Sequence, residues 1–153
     1  MSMIHQKLYQ GKDLTSIEMK DYLINLSSHI SESFGAHDTI DFEYHLDHLD
    51  LDVDSAIPIG LIVNELLTNS FKHAFPDGMN GKIEITFEKM KNDKILLEVA
   101  DNGIGLKELD ENDEQSTGFG TQLIELLIDQ LDGSVMISNG VGTKVRIEFE
   151  SEI

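Results

Sequence analysis

Between Pro58 and Ala74 one stretch of chain carries two stripes at helical spacing, and no other segment restricts the fold as much. Ile59, Ile62, Val63, Leu66, Leu67 and Ala74 recur at the intervals of a helix with one face turned to a core. At about 100° per residue, Glu65, Asn69 and Lys72 fall within about 60° of one another, and His73 lies on the flank of that arc. A carboxylate, an uncharged oxygen donor and an ammonium on one rigid face are the groups a magnesium-nucleotide site needs: hard oxygen ligands for the metal, a base, and a cation to offset phosphate charge. Taken alone, the same face also suits an ordinary solvated amphipathic helix, and His73 an ordinary surface histidine.

The flanking segments place this helix in an α+β chain. Thr15-Ser16-Ile17-Glu18 has capping-box spacing, with Leu14 and Met19 set for a hydrophobic staple. A helix is therefore predicted from there to about Phe34, with Met19, Leu23, Leu26, Ile30 and Phe34 facing a core. Ile40, Phe42, Tyr44 and Leu46 alternate with polar residues as a half-buried strand does. Pro58 suits the first position of the next helix, and Phe75-Pro76-Asp77-Gly78 ends it. Ile83 to Glu88 and Ile95 to Val99 read as a hairpin turning at Asn92-Asp93. After a glycine-rich, acidic loop, Thr121 to Leu131 reads as a helix, and Ser134 to Ser138 with Thr143 to Phe149 as a closing hairpin. Paired strands with helices between them predict a two-layer α/β sandwich, a mixed sheet covered on one face by helices.

Two glycine-bearing loops could bring backbone close to a ligand. Asp101-Asn102-Gly103-Ile104-Gly105-Leu106 follows a predicted strand directly; Gly103 and Gly105 permit close approach, and an acid at a strand end can accept a hydrogen bond from an amino group such as that of adenine. A tight turn would have the same residues. Gly118-Phe119-Gly120 precedes a helix opening at Thr121, whose free backbone amides would cradle a phosphate. No lysine followed by serine or threonine closes this glycine run, so it is not a Walker loop; the third glycine and βαβ setting of a dinucleotide fingerprint are missing too.

Composition narrows the partners. Eleven basic against twenty-nine acidic residues leave a formal charge of -18, which repels nucleic acid and anionic lipid at long range, so no nucleic-acid role is expected. A nucleotide is also an anion and must be held here by local donors and a divalent cation. With no cysteine there is neither a disulfide framework nor a thiolate metal site. No apolar run approaches the roughly 20 residues that cross a bilayer, which predicts a cytoplasmic domain and leaves open whether a parent protein is membrane-anchored.

Together these stretches resemble a known family. Asn64 to Phe75 is similar to the asparagine box of the histidine kinase ATPase domain, Asp101 to Leu106 to its first glycine box, and Ser116 to Ile124 to its second. Gly142-Thr143 resembles its terminal glycine-threonine element. The match runs over roughly residues 35 to 150, in the order of the Bergerat-fold ATPases that include gyrase-type topoisomerases, mismatch-repair ATPases and certain chaperones. His5-Gln6-Lys7-Leu8-Tyr9, ahead of a helix containing Asp21-Tyr22-Leu23, resembles the segment after the dimerisation hairpin in kinases with an E-x-H-H-R-x-K-N-type acceptor run. His5 matches the later histidine of that segment and not the acceptor.

The resemblance implies the Bergerat ATP-binding fold, with residues 1–12 as the tail of an upstream dimerisation region and 13–153 as the catalytic domain. It implies ATP and Mg²⁺ as cofactors, Asn69 on the metal, Asp101 on the adenine amino group, Glu65 as the base or polar group beside the reaction, and Lys72 and His73 near the phosphates. Gly103 and Gly105 would shape the base pocket, Gly118, Phe119, Gly120 and Thr121 would anchor the lid and hold nucleotide, and Thr143 would lie close to the adenine. The implied partners are a dimerisation and phosphoacceptor domain of the same full-length protein, a response regulator, and a second copy in a full-length homodimer. The expected reaction is transfer of the γ-phosphate to a histidine outside this chain. Alternatives are an anti-sigma-type serine/threonine kinase of the same fold and a nucleotide-binding domain without transfer.

Overall fold

The computed structural model describes residues 16–36, 38–75, 79–104, 124–140 and 142–150. Its elements run β1 (Ser16–Glu18), α1 (Met19–Ser33), β2 (Ile40–Leu46), β3 (Asp50–Asp52), α2 (Val53–Asn69), a π-helical turn (Ser70–Ala74), β4 (Gly81–Lys89), β5 (Lys94–Asp101), a helix α3 over 124–130, β6 (Ser134–Gly140) and β7 (Gly142–Glu150). Five strands form one mixed sheet in the order β2-β4-β5-β7-β6, and β1 and β3 pair separately. β2 and β4 run parallel, as strands joined across a helix can, while β4-β5, β5-β7 and β7-β6 are antiparallel.

Alternation decides which face is covered. Ile83, Ile85 and Phe87 on β4, Ile95, Leu97 and Val99 on β5, and Val145, Ile147 and Phe149 on β7 are all buried at period two. They share one core with Met19, Tyr22, Leu23 and Ile30 of α1 and Ile59, Ile62, Val63, Leu66 and Leu67 of α2. Each such aliphatic side chain contributes roughly 1.5–3 kcal/mol by leaving water. The other face is polar, with Lys82 Nζ 2.9 Å from Glu43 Oε1 and Arg146 Nε 3.4 Å from Glu148 Oε2. The expected sandwich and element order are therefore present.

Three local expectations are corrected. The predicted capping box is a strand: Ile17 pairs with Leu51, and both are buried, a gain that a helical turn there would forgo. Glu18 itself caps α1, its carboxylate accepting the Asp21 N–H at 3.0 Å. The second helix begins at Val53, five residues before Pro58, because Asp52 caps it through the Ser55 N–H at 3.0 Å. Pro58 lies inside α2, where its missing N–H leaves the carbonyl of exposed Asp54 without an intrahelical donor. Phe34, expected in the core, is 42% exposed; it stacks instead on Phe71 of the π-turn, with ring centroids 5.3 Å apart.

The two helices approach closely at one point. Gly60 faces the ring of Tyr22, which is 1% exposed. A β-carbon at Gly60 would fall on the Tyr22 hydroxyl and lie 2.9 and 3.1 Å from two ring carbons.

Candidate nucleotide site

The helix bearing the polar stripe changes geometry where the stripe matters. Glu65 and Asn69, one turn apart, are half-exposed on α2. From Ser70 the backbone widens into the π-turn, whose hydrogen bonds span five residues; such turns are rare and recur at functional sites. The α-helical spacing that grouped Lys72 and His73 with Glu65 and Asn69 stops at Asn69. Lys72 is exposed and His73 half-buried, both in the π-turn.

Phe71 braces one side of this turn, stacked on Phe34 and edge-on to Phe42 at 6.3 Å. Ser70 and Ala74 face the other way and are buried. There the turn meets the loop after β5. Ile104 N–H donates to the Ala74 carbonyl at 3.0 Å, and a β-carbon on Gly103 would lie 2.6 Å from Ala74 Cβ and against the Ala74 carbonyl. Only glycine allows that approach. Asn102 ties the same loop to β4: its N–H donates to the Lys82 carbonyl at 3.2 Å, and its Oδ1 accepts the Lys82 N–H at 2.8 Å.

Asp101, at the end of β5, is where the segments converge. Its Oδ2 accepts the Ser70 hydroxyl at 2.9 Å. Its Oδ1 accepts the backbone N–H of Gly103 at 3.0 Å and of Thr143 at 3.3 Å. Thr143 stands opposite Asp101 in the β5-β7 register. Gly142 before it has φ +85°, and a side chain there would collide with the Asp101 carbonyl. The polar helix, the first glycine loop and the glycine-threonine step thus meet at one carboxylate. Gly105, Gly118, Phe119, Gly120 and Thr121 lie outside the described residues, as do residues 1–12.

The residues present fit an adenine nucleotide. A carboxylate has about four lone-pair positions, and donors among the described residues occupy three of those on Asp101, leaving one acceptor for an N–H donor such as an amino-purine. Gly103 and Gly142 are close backbone approaches that any side chain would block. A second cluster, Glu43, His45 and Glu84, brings ligand atoms within 4.8 Å of one another, but it lies on the solvent face of β2 and β4, where Lys82 already binds Glu43.

Ser70 was missed in the sequence although a signal was there. It falls three residues after Leu67 and four before Ala74, on the apolar stripe; a hydroxyl on a core face needs a partner.

A mixed sheet whose parallel crossover helix ends in a turn against a strand-end aspartate is the architecture of the Bergerat-type ATPases. The model of the family described as "Histidine kinase-, DNA gyrase B-, and HSP90-like ATPase" matches residues 54–153, and the chain belongs to that family. A second family model, "Histidine kinase", matches residues 1–34.

The chain is 28% identical over 152 residues to blue-light-activated histidine kinase 2 of Erythrobacter litoralis, covering 94% of this chain and 44% of that protein. It is 33% identical over 102 residues to the sensor histidine kinase ComP of Bacillus subtilis, covering 65% of this chain and 12% of that one. An anti-sigma F factor of Shouchella clausii is 28% identical over 109 residues, covering 65% of this chain and 73% of the factor. Among solved structures, the histidine kinase domain of the Erythrobacter litoralis EL346 blue-light-activated histidine kinase superposes with a TM-score of 0.82 at 27% identity, over 97% of this chain and 70% of that one. The chain is a histidine kinase-type ATPase domain that spans less than half the length of the two kinases it matches.

Proposed function

We propose that this chain binds Mg-ATP between the Asn69 helix and the Asp101 loop and supplies the γ-phosphate to a histidine of a dimerisation domain in a longer protein. The observation that carries the reading is the Asp101 carboxylate, held by Ser70, Gly103 and Thr143, with one acceptor position left among the described residues for an adenine amino group. Asn69 would hold magnesium through its amide oxygen. Glu65 would polarise the attacking group, and Lys72 and His73 would stand near the phosphates. Magnesium, when bound, neutralises charge on the phosphate oxygens; the protein otherwise acts by positioning and electrostatics. Gly105 would complete the base pocket, and Gly118, Phe119, Gly120 and Thr121 would contact nucleotide from the lid.

Residues 1–12 are read as the tail of the dimerisation region, in the subgroup with an E-x-H-H-R-x-K-N-type acceptor run. The "Histidine kinase" match over residues 1–34 supports this reading. The parent protein would be a homodimer that passes its phosphate to a response regulator, with this domain in the cytoplasm.

Calorimetry with Mg-ATP tests the site. Asp101→Asn turns one acceptor edge into a donor facing the adenine amino group and should weaken ATP binding about 10- to 100-fold. Asn69→Ala should leave ADP binding without magnesium within about twofold. A folded chain that does not bind Mg-ATP at millimolar concentration refutes the reading.

The anti-sigma F factor similarity favours a second reading, a serine or threonine kinase of the same fold. Acid treatment of the phosphorylated product separates the two, since phosphohistidine is lost in acid and phosphoserine survives.

A further inference from the structure

We infer that Ser70 is a positioning residue that makes this site selective for purines bearing an amino group, by orienting the Asp101 carboxylate. The inference rests on the nucleotide site described under Proposed function and adds a specificity determinant to it.

Ser70 is buried, stands on the core stripe of its helix, and donates to Asp101 Oδ2 at 2.9 Å. The two backbone N–H groups on Oδ1, from Gly103 and Thr143, hold only that oxygen. The carboxylate is planar and its two oxygens turn together about the Cβ–Cγ bond, a broad torsion that donors on either oxygen narrow. The Ser70 hydroxyl is the donor on Oδ2: it pins the carboxylate at its second end and takes one of the two lone pairs there. Among the described residues a single acceptor in a fixed direction remains, which suits one N–H donor and repels a carbonyl oxygen at the same place.

Ser70 makes this contact from the junction of α2 and the π-turn, its N–H still bonded to the Leu66 carbonyl. Ser70 directly follows Asn69, the last residue of α2, and the π-turn that begins at Ser70 is clamped by Phe71 against Phe34 and by the Ala74 carbonyl against Ile104. The residue read as the metal ligand and the residue that aims the base acceptor are therefore neighbours on either side of one braced junction. A change at Ser70 should be felt at the base and not at the metal.

The test compares ATP with inosine triphosphate, whose base has a carbonyl where adenine has its amino group, by calorimetry on the whole chain with magnesium. Ser70→Ala keeps the fold accessible, since alanine is smaller and the best helix former, and a thermal melt checks it. The expected result is that Ser70→Ala lowers the ratio of ATP to inosine triphosphate affinity roughly five- to tenfold, that Ser70→Thr, which keeps the hydroxyl, retains the wild-type ratio, and that Ser70→Ala has no further effect on the ratio in an Asp101→Asn background. An unchanged ratio in Ser70→Ala overturns the inference. So does an equal loss in the alanine and threonine variants, which would assign the effect to side-chain volume. A wild-type chain that binds neither nucleotide overturns the site itself, and this inference with it, before any variant is compared.

Discussion

Replacing Gly60 by alanine sets two effects of opposite sign against each other, and the packing of α1 on α2 decides between them. In a helix interior alanine is favoured over glycine by about 1 kcal/mol. Against this, the added β-carbon would fall on the Tyr22 hydroxyl and lie 2.9 and 3.1 Å from two ring carbons, well inside the roughly 3.5–4.0 Å of unstrained carbon contact. Tyr22 cannot swing aside, because it is 1% exposed. Burial of its phenol also pushes the Tyr22 pKa up to about 12. Overpacking of this kind costs about 1–3 kcal/mol, and a methyl driven onto a pinned ring belongs at or above the top of that range.

The net effect expected for Gly60→Ala is a loss of about 2 kcal/mol, lowering Tm by about 4–8 °C for a chain of this size. Scanning calorimetry or a thermal melt followed by circular dichroism measures it. Removing the hydroxyl by Tyr22→Phe should recover about 1 kcal/mol of that loss in a double-mutant cycle, since the nearest overlapping atom is gone. A Gly60→Ala chain that melts at or above the wild-type temperature would refute the packing argument.

Two further outcomes follow from the same structure. Gly103→Ala forces the Asp101 loop off the π-turn and breaks the Ile104–Ala74 hydrogen bond, so Mg-ATP affinity should fall at least about tenfold while the chain stays folded, measured by calorimetry beside a melt. Burial raises the Glu18 carboxyl, but hydrogen bonds from His48 and the Asp21 and Lys20 N–H groups, with the charge of His48, outweigh it and hold the pKa below 4.5. A depressed folded value means the stabilising contribution is full above that ordinary value and disappears as pH falls through the lower one. Solvent screening keeps it to a few tenths of a kcal/mol. Urea titrations of wild type and Glu18→Gln should therefore differ at neutral pH and converge as pH falls below the ordinary glutamate range; a difference undiminished in acid would contradict the assignment.

Much of the fold was legible because its signals are periodic and long. The strands Gly81–Lys89, Lys94–Asp101 and Gly142–Glu150 bury alternate apolar residues, and the α2 stripe carries its spacing through Leu67. The three-residue strands β1 and β3 were not legible: a run that short has no period, and its pairing depends on a segment some 35 residues away. Pro58 misled because proline is usually a helix opener, whereas Asp52 offered a cap and an exposed first turn tolerated the missing donor.

The site divides along the same line. Asp101, Gly103 and Thr143 could be named from their boxes, and the structure brings them together. Ser70 carried only the general signal of a hydroxyl on the core stripe; that its partner is Asp101, 31 residues further on, is not written in its spacing.

Because the asparagine box ends in a wide turn, it is a helix read in two frames joined at residue 70. Shortening the segment 70–74 by one residue would allow an unbroken α-helix with better hydrogen bonds, yet it would rotate everything after the join. The Ala74 carbonyl would then leave the loop. Local regularity and a working nucleotide pocket are thus competing outcomes for these five residues, and the aromatic clamp of Phe71 on Phe34 and Phe42 helps hold the less regular one in place.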